Sequence, residues 1–263
     1  MQILLPLLIF ALSGALIGLL LALASEYFKV KTDPIIEALT EALPGANCGG
    51  CGYAGCSGLA VAIAKGEANP TSCTAGGAET ARKAANIMGV KFEGFAENKA
   101  FVKCAGCSGI STKKYTYEGN HDCISASKLG GGDKDCFYGC LGLGSCVKVC
   151  RFDAIEIVDG IARIDRNKCT GCKRCSVICP KHVIDMIPAN TSYAVGCASK
   201  AKAATVRAVC EVGCIGCRLC VKSCKFDAIN VENNIAVIDQ SKCTSCGMCE
   251  KVCPRKIIHH LPK

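Results

Sequence analysis

From Ile3 to Ala24 no residue is charged, and Gln2, Ser13 and Ser25 are the only polar positions through Ser25. Twenty-two helical residues at 1.5 Å each span about 33 Å, enough for a hydrocarbon core of about 30 Å. The pattern predicts a transmembrane helix over 1–25. A cleaved signal peptide fits less well, because no basic stretch precedes the apolar run and the run outlasts a typical signal core. Residues 26–32, with Glu26, Lys29 and Lys31, read as a linker whose charges point weakly to a cytoplasmic C-terminal side. Beyond it, Ser57–Lys65 is an alanine-rich helix candidate leading to Asn69-Pro70. In the second half the period shortens to that of strands. Ala154–Val158 and Ile161–Asp165 flank Asp159-Gly160, and Ile229–Glu232 and Ile235–Asp239 flank Asn233-Asn234, both two-residue hairpin signals. Short helices are expected at Cys175–Cys179 and Cys249–Cys253.

Cysteine gives these short elements a reason. It supplies 25 of 263 residues, alongside 28 Gly and no Trp, too few large side chains for one aromatic-rich core. Cys169, Cys172, Cys175 and Cys179-Pro180 form a C-x2-C-x2-C-x3-C-P run, and Cys243, Cys246, Cys249 and Cys253-Pro254 form another. In this bacterial ferredoxin spacing three thiolates hold one [4Fe–4S] cube and the fourth reaches a partner cube. A disulfide scaffold suits neither the odd count nor the spacing. Structural zinc more often takes two separated C-x2-C pairs. Adding 74 to Cys123, Cys136, Cys140, Cys146, Cys150, Cys169, Cys172, Cys175 and Cys179 gives Cys197, Cys210, Cys214, Cys220, Cys224, Cys243, Cys246, Cys249 and Cys253. This is a tandem duplication of a two-cluster unit.

The fold class expected is α+β: a transmembrane helix, a single-cluster [4Fe–4S] domain (33–90), a cysteine-containing connecting segment (91–135), and two ferredoxin modules (136–190 and 191–263). In the second module Cys214, Cys217, Cys220 and Cys253 should bind one cube, and Cys224, Cys243, Cys246 and Cys249 the other. In the first, Cys150, Cys169, Cys172 and Cys175 are a complete set. Cys140, Cys146 and Cys179 lack a fourth member, because Leu143 stands where the second copy has Cys217; Cys136 is the first candidate. Cys104, Cys107 and Cys123 make a further group needing Cys136, Cys197 or Cys210, though Cys197 and Cys210 also read as free buried thiols. Cys48, Cys51, Cys56 and Cys73 form a separate set, with glycines that let the backbone close around a cube. Five or six clusters result.

Other motifs carry less. Gly142-Leu143-Gly144 lacks the third glycine of a dinucleotide fingerprint, Gly130-Gly131-Gly132 lacks the Lys-Ser/Thr of a phosphate loop, and His259-His260 read as solvated tail residues. No nucleophile–base pair and no flavin or NAD site is evident, so electron transfer without bond chemistry is the expectation. The formal charge of +9 would ordinarily suggest a nucleic-acid partner. A ligated oxidised cube carries about −2, so six bring the chain to roughly −3, and the basic balance reads as counter-charge instead.

Taken together, the single N-terminal helix, the string Cys48-Gly-Gly-Cys51-Gly-Tyr-Ala-Gly-Cys56 preceded by Leu43-Pro44-Gly45-Ala46-Asn47, and the ferredoxin modules resemble the iron–sulfur B subunit of the Rnf complexes. These are membrane-bound ion-translocating ferredoxin:NAD oxidoreductases. The resemblance covers nearly the whole chain and is to the extended multi-cluster form; Arg151 and Lys225 replace the proline usual after the fourth cysteine. It implies a polyferredoxin subunit of a translocase that takes low-potential electrons from soluble ferredoxin and passes them to flavin-bearing membrane subunits. It also implies a single-pass location in the cell membrane, in contact with lipid, with the clusters on the cytoplasmic side. The alternative is the same wire reducing an iron–sulfur transcription regulator, without ion transport.

Overall fold

The computed structural model describes residues 4–27, 33–92 and 94–261, with the side chains of 4–8, 25 and 26 outside the description. Residues 1–3 of the expected anchor and 28–32 of the expected linker, including Lys29 and Lys31, lie outside the described residues. Helix α1 (Leu4–Tyr27) displays Ile9, Phe10, Leu12 and Leu16 to its surroundings. Among the described residues no helix is long and apolar enough to cross a membrane. The spanning interpretation therefore rests on the sequence, where the apolar run begins at Ile3.

Three helices follow. Asp33 caps α2 (Pro34–Ala42) by accepting from Ile35 N at 3.0 Å, with Pro34 at the first position, where its missing N–H costs nothing. The predicted alanine-rich helix is α3 (Cys56–Ala64), and α4 (Gly77–Ile87) turns Ala81, Ala84 and Ala85 inward. Small side chains let these helices approach closely. Leu39, Leu43, Leu59 and Ile63 fill the space between them, with Cys73 in the same core.

The remainder contains two copies of one unit. The first runs β1 (Asn98–Val102), α5 (Cys123–Lys128), α6 (Ser145–Lys148), β2 (Ile155–Val158), β3 (Ile161–Ile164), α7 (Arg174–Ile178) and β4 (Ile184–Pro188). The second runs β5 (Tyr193–Val195), α8 (Ala203–Val209), α9 (Leu219–Ser223), β6 (Ile229–Glu232), β7 (Ile235–Ile238), α10 (Met248–Lys251) and β8 (Ile258–His260). In each, the opening strand pairs antiparallel with the closing one, Val102 opposite Ile184 and Val195 opposite Ile258. The middle strands form the expected hairpins, β2 with β3 and β6 with β7. Asp159 and Gly160 have φ of 49° and 72°, and Asn233 and Asn234 have 47° and 65°. These positive values match the strand twist of a two-residue turn. The first unit thus draws its opening strand from segment 91–135. His259 and His260 fall in β8, opposite Ala194 and Tyr193, with His259 half-buried and His260 solvated as expected of a tail residue.

Both cores are short of large side chains and rich in thiols. Cys140, Cys146, Cys169 and Cys175 are buried with Ile155, Ile161, Val183 and Ile184. Cys197, Cys214, Cys220 and Cys249 are buried with Ile229, Ile257 and Ile258.

Candidate iron–sulfur sites

The loop before α3 is built from residues that accept left-handed backbone: Gly45, Asn47, Gly49 and Gly52 all have positive φ. Asn47 Oδ1 accepts from Cys56 N at 2.8 Å and pins the loop to the helix start. Cys48, Cys51, Cys56 and Cys73 wall a cavity of about 300 Å³. Burial pushes the Cys73 thiol up, and its three partners add to the shift.

Three further cavities follow the ferredoxin spacing. Cys150, Cys169, Cys172 and Cys175 enclose about 320 Å³. Cys224, Cys243, Cys246 and Cys249 enclose about 320 Å³, and Cys214, Cys217, Cys220 and Cys253 about 370 Å³. In the first of these, Ala100 N donates to Cys169 Sγ at 3.4 Å, an amide placed to stabilise a thiolate. Burial raises Cys175 to about 12 and Cys220 to about 11. Among the described residues no three His, Cys, Asp or Glu groups close on a single metal ion. Iron and sulfide bound there would supply the positive charge that a buried thiolate requires.

Cys140, Cys146 and Cys179 are brought together as the spacing predicts: Cys140 and Cys179 are among the sources of repulsion on Cys146, with Cys123 beside them. Burial is the larger effect and lifts Cys146 to about 12. Cys136 is not with them. It lines a separate cavity of about 370 Å³ with Cys104, Cys197 and Cys210. Cys123 packs with Leu143, the residue standing in the missing ligand position. A short relay fixes it there: Cys123 N donates to Ser145 Oγ at 2.8 Å, and Ser145 Oγ donates to Asp122 Oδ1 at 2.6 Å. The Ser145 bond, with further ones from Ser125, holds the Asp122 carboxyl far below the usual range. Cys123 therefore stands apart from Cys104, which with Cys107 packs against the first unit's core.

The N-terminal loop docks on the first ferredoxin unit. Arg151 Nη1 donates to the carbonyls of Ala46 and Asn47 at 2.6 and 3.0 Å. Gly50 lies so close that a Cβ there would sit 2.3 Å from the Cys172 carbonyl oxygen. Cys48 is near enough to raise the Cys172 thiol, though burial is the main cause. Two cysteine-walled cavities thus adjoin.

Family models match these regions. One for a putative Fe-S cluster covers residues 43–75, one for a 4Fe-4S binding domain covers 161–184, and one for a 4Fe-4S dicluster domain covers 213–257. The B subunit of the ion-translocating oxidoreductase complex of Methanosarcina acetivorans is 41% identical over 93% of this chain and 93% of its own. The chain belongs to this B-subunit family. The corresponding subunit of the Na(+)-translocating ferredoxin:NAD(+) oxidoreductase complex of Acetobacterium woodii is 42% identical over 97% of this chain and 77% of its own. The proton-translocating counterpart from Clostridium ljungdahlii is 41% identical over 94% and 89%. As a member of this family, the chain is an oxidoreductase subunit carrying several [4Fe–4S] clusters.

Proposed function

We propose that the chain is the electron-carrying subunit of an ion-translocating ferredoxin:NAD oxidoreductase, accepting low-potential electrons from reduced ferredoxin and passing them to partner subunits. The observation that carries this reading is the contact between the N-terminal cysteine loop and the first ferredoxin unit, through Gly50, Cys172 and Arg151. It supports a series of cluster sets. Bound cubes supply one-electron carriers that need no bond making. The protein's own residues bury the thiolates, exclude water and aim amides at sulfur. The ligand sets are Cys48/Cys51/Cys56/Cys73, Cys150/Cys169/Cys172/Cys175, Cys214/Cys217/Cys220/Cys253 and Cys224/Cys243/Cys246/Cys249, with Cys123 completing Cys140/Cys146/Cys179. The apolar run in α1 supports a single-pass anchor, with the reducing thiol-rich body on the cytoplasmic side.

Native membranes should yield the chain together with flavin-containing partners, and reduced ferredoxin should bleach its visible absorbance. Clusters that stay oxidised under reduced ferredoxin would remove the entry role. Ferredoxin–NAD activity of membrane vesicles that survives deletion of the gene would favour the regulator-reducing wire instead.

A further inference from the structure

None of the three matched family segments reaches Cys104, Cys136, Cys197 or Cys210. We propose that these four cysteines hold an additional [4Fe–4S] cluster between the two ferredoxin units, linking one to the other. The proposal rests on the reading of the chain as a cube-loaded carrier.

The four thiols come two from each copy, at structurally equivalent positions. Cys104 follows Val102 of β1 by two residues, as Cys197 follows Val195 of β5. Lys103 N donates to Val183 O at 2.7 Å, and Gly196 N donates to Ile257 O at 2.8 Å. Residues 183 and 257 are themselves related by the 74-residue offset. Cys136 and Cys210 each precede the first ferredoxin-type cysteine, Cys140 or Cys214, by four residues. The sulfurs are served alike: Cys140 N donates to Cys104 Sγ at 3.3 Å, and Cys214 N donates to Cys197 Sγ at 3.4 Å. Ser199 N adds a second bond to Cys197 Sγ at 3.4 Å.

The units meet at these residues. Cys104 and Cys197 form an antiparallel bridge with each other, and Ser111 and Cys210 form a second. Around the second, Thr112 N and Glu211 N donate to Val209 O and Ile110 O, each at 3.1 Å. Gly139 and Gly213, also equivalent, line the cavity. Its volume, about 370 Å³, equals that of the cavity walled by Cys214, Cys217, Cys220 and Cys253. Free thiols would have no reason to be duplicated with their sulfur-directed amides and then set facing one another. Four cysteines around a cube-sized space, with amides directed at the equivalent pair Cys104 and Cys197, are a cube's ligand set.

The test is anaerobic purification of the full chain beside a Cys136→Ala/Cys210→Ala double variant and Cys210→Ser. The double variant should lose about four irons and about four sulfides per chain, the content of one cube. The reduced-state EPR signals of the other clusters should persist. Unchanged iron, or loss of about one zinc ion instead, would overturn the proposal. Should the variants fail to fold, iron-edge anomalous scattering from the unaltered chain decides: cube density between the four sulfurs is expected, and none there sinks the inference. Iron missing at every site would sink the electron-carrier reading itself, whereas iron missing at this site alone sinks only the additional cluster.

Discussion

Arg151 occupies the place where the ferredoxin pattern has proline, and its guanidinium explains the exchange. It reaches across to two carbonyls of the N-terminal cysteine loop. A proline has no donor to offer there. The contact is exposed, so it is worth about 1 kcal/mol rather than the larger value of a buried charged pair. Arg151→Ala should therefore raise amide exchange across residues 46–56 roughly five-fold, that free energy expressed as a ratio. Iron content should not change. Unaltered exchange would show that Gly50 and its close packing hold the loop unaided. Lys134 illustrates the opposite environment: it is buried, and its ammonium donates to Gly106 O at 2.8 Å and Gly160 O at 3.3 Å. Close to Cys140, it is a counter-charge placed where a ligated thiolate would carry negative charge.

At the scale of elements, the turns and loops carry more of the fold than the short strands do. Gly171, between the first two cysteines of its run, has a φ of +72°, and a Cβ there would lie 2.1 Å from Asn98 O. Backbone conformation and space both demand glycine. Gly171→Ala should push β1 away from the ligand loop, cost about 2 kcal/mol or more, and release the cube proposed for Cys150, Cys169, Cys172 and Cys175. Thermal unfolding with iron counting reads both effects. An unchanged midpoint and full iron content would mean that the loop relaxes without loss. Gly142 has a similar origin: a Cβ there would sit 2.2 Å from Gly160 O at the β2–β3 turn. Its resemblance to part of a nucleotide loop is thus explained by packing against a hairpin.

For the whole molecule, the cores are incomplete without their inorganic contents. Burial lifts Cys140 and Cys197 to about 11 and Cys146 and Cys175 to about 12, so the empty protein holds these thiols neutral at ordinary pH. Ligation expels those protons, and cluster assembly is therefore favoured as pH rises and disfavoured as it falls. Anaerobic chelation of iron should unfold both ferredoxin units, with far-UV dichroism lost over β2–β3 and β6–β7. Iron and sulfide should restore it more completely at about pH 8 than at about pH 6. Retention of native dichroism in iron-free protein would show that the apolar residues suffice. The charge of +9 belongs to this balance, since it is counted before any cube is loaded.

What the sequence determined by itself is local in the chain. The C-x2-C-x2-C-x3-C runs, the Cys48–Cys73 set and the turns at Asp159-Gly160 and Asn233-Asn234 place their atoms within a few residues, so spacing and φ preference suffice to fix them. The family resemblance follows from the same strings. Tertiary structure decided the rest. A constant offset of 74 aligned Cys197 with Cys123, yet the strand pairing makes Cys104 its counterpart, because the first copy carries 19 more residues between its opening strand and Cys136. The meeting of the two units brings Cys104, Cys136, Cys197 and Cys210 to one cavity, and the packing of α5 returns Cys123 to Leu143. Spacing cannot encode meetings between residues separated by an insertion of arbitrary length, because they are set by where antiparallel strands find their hydrogen bonds.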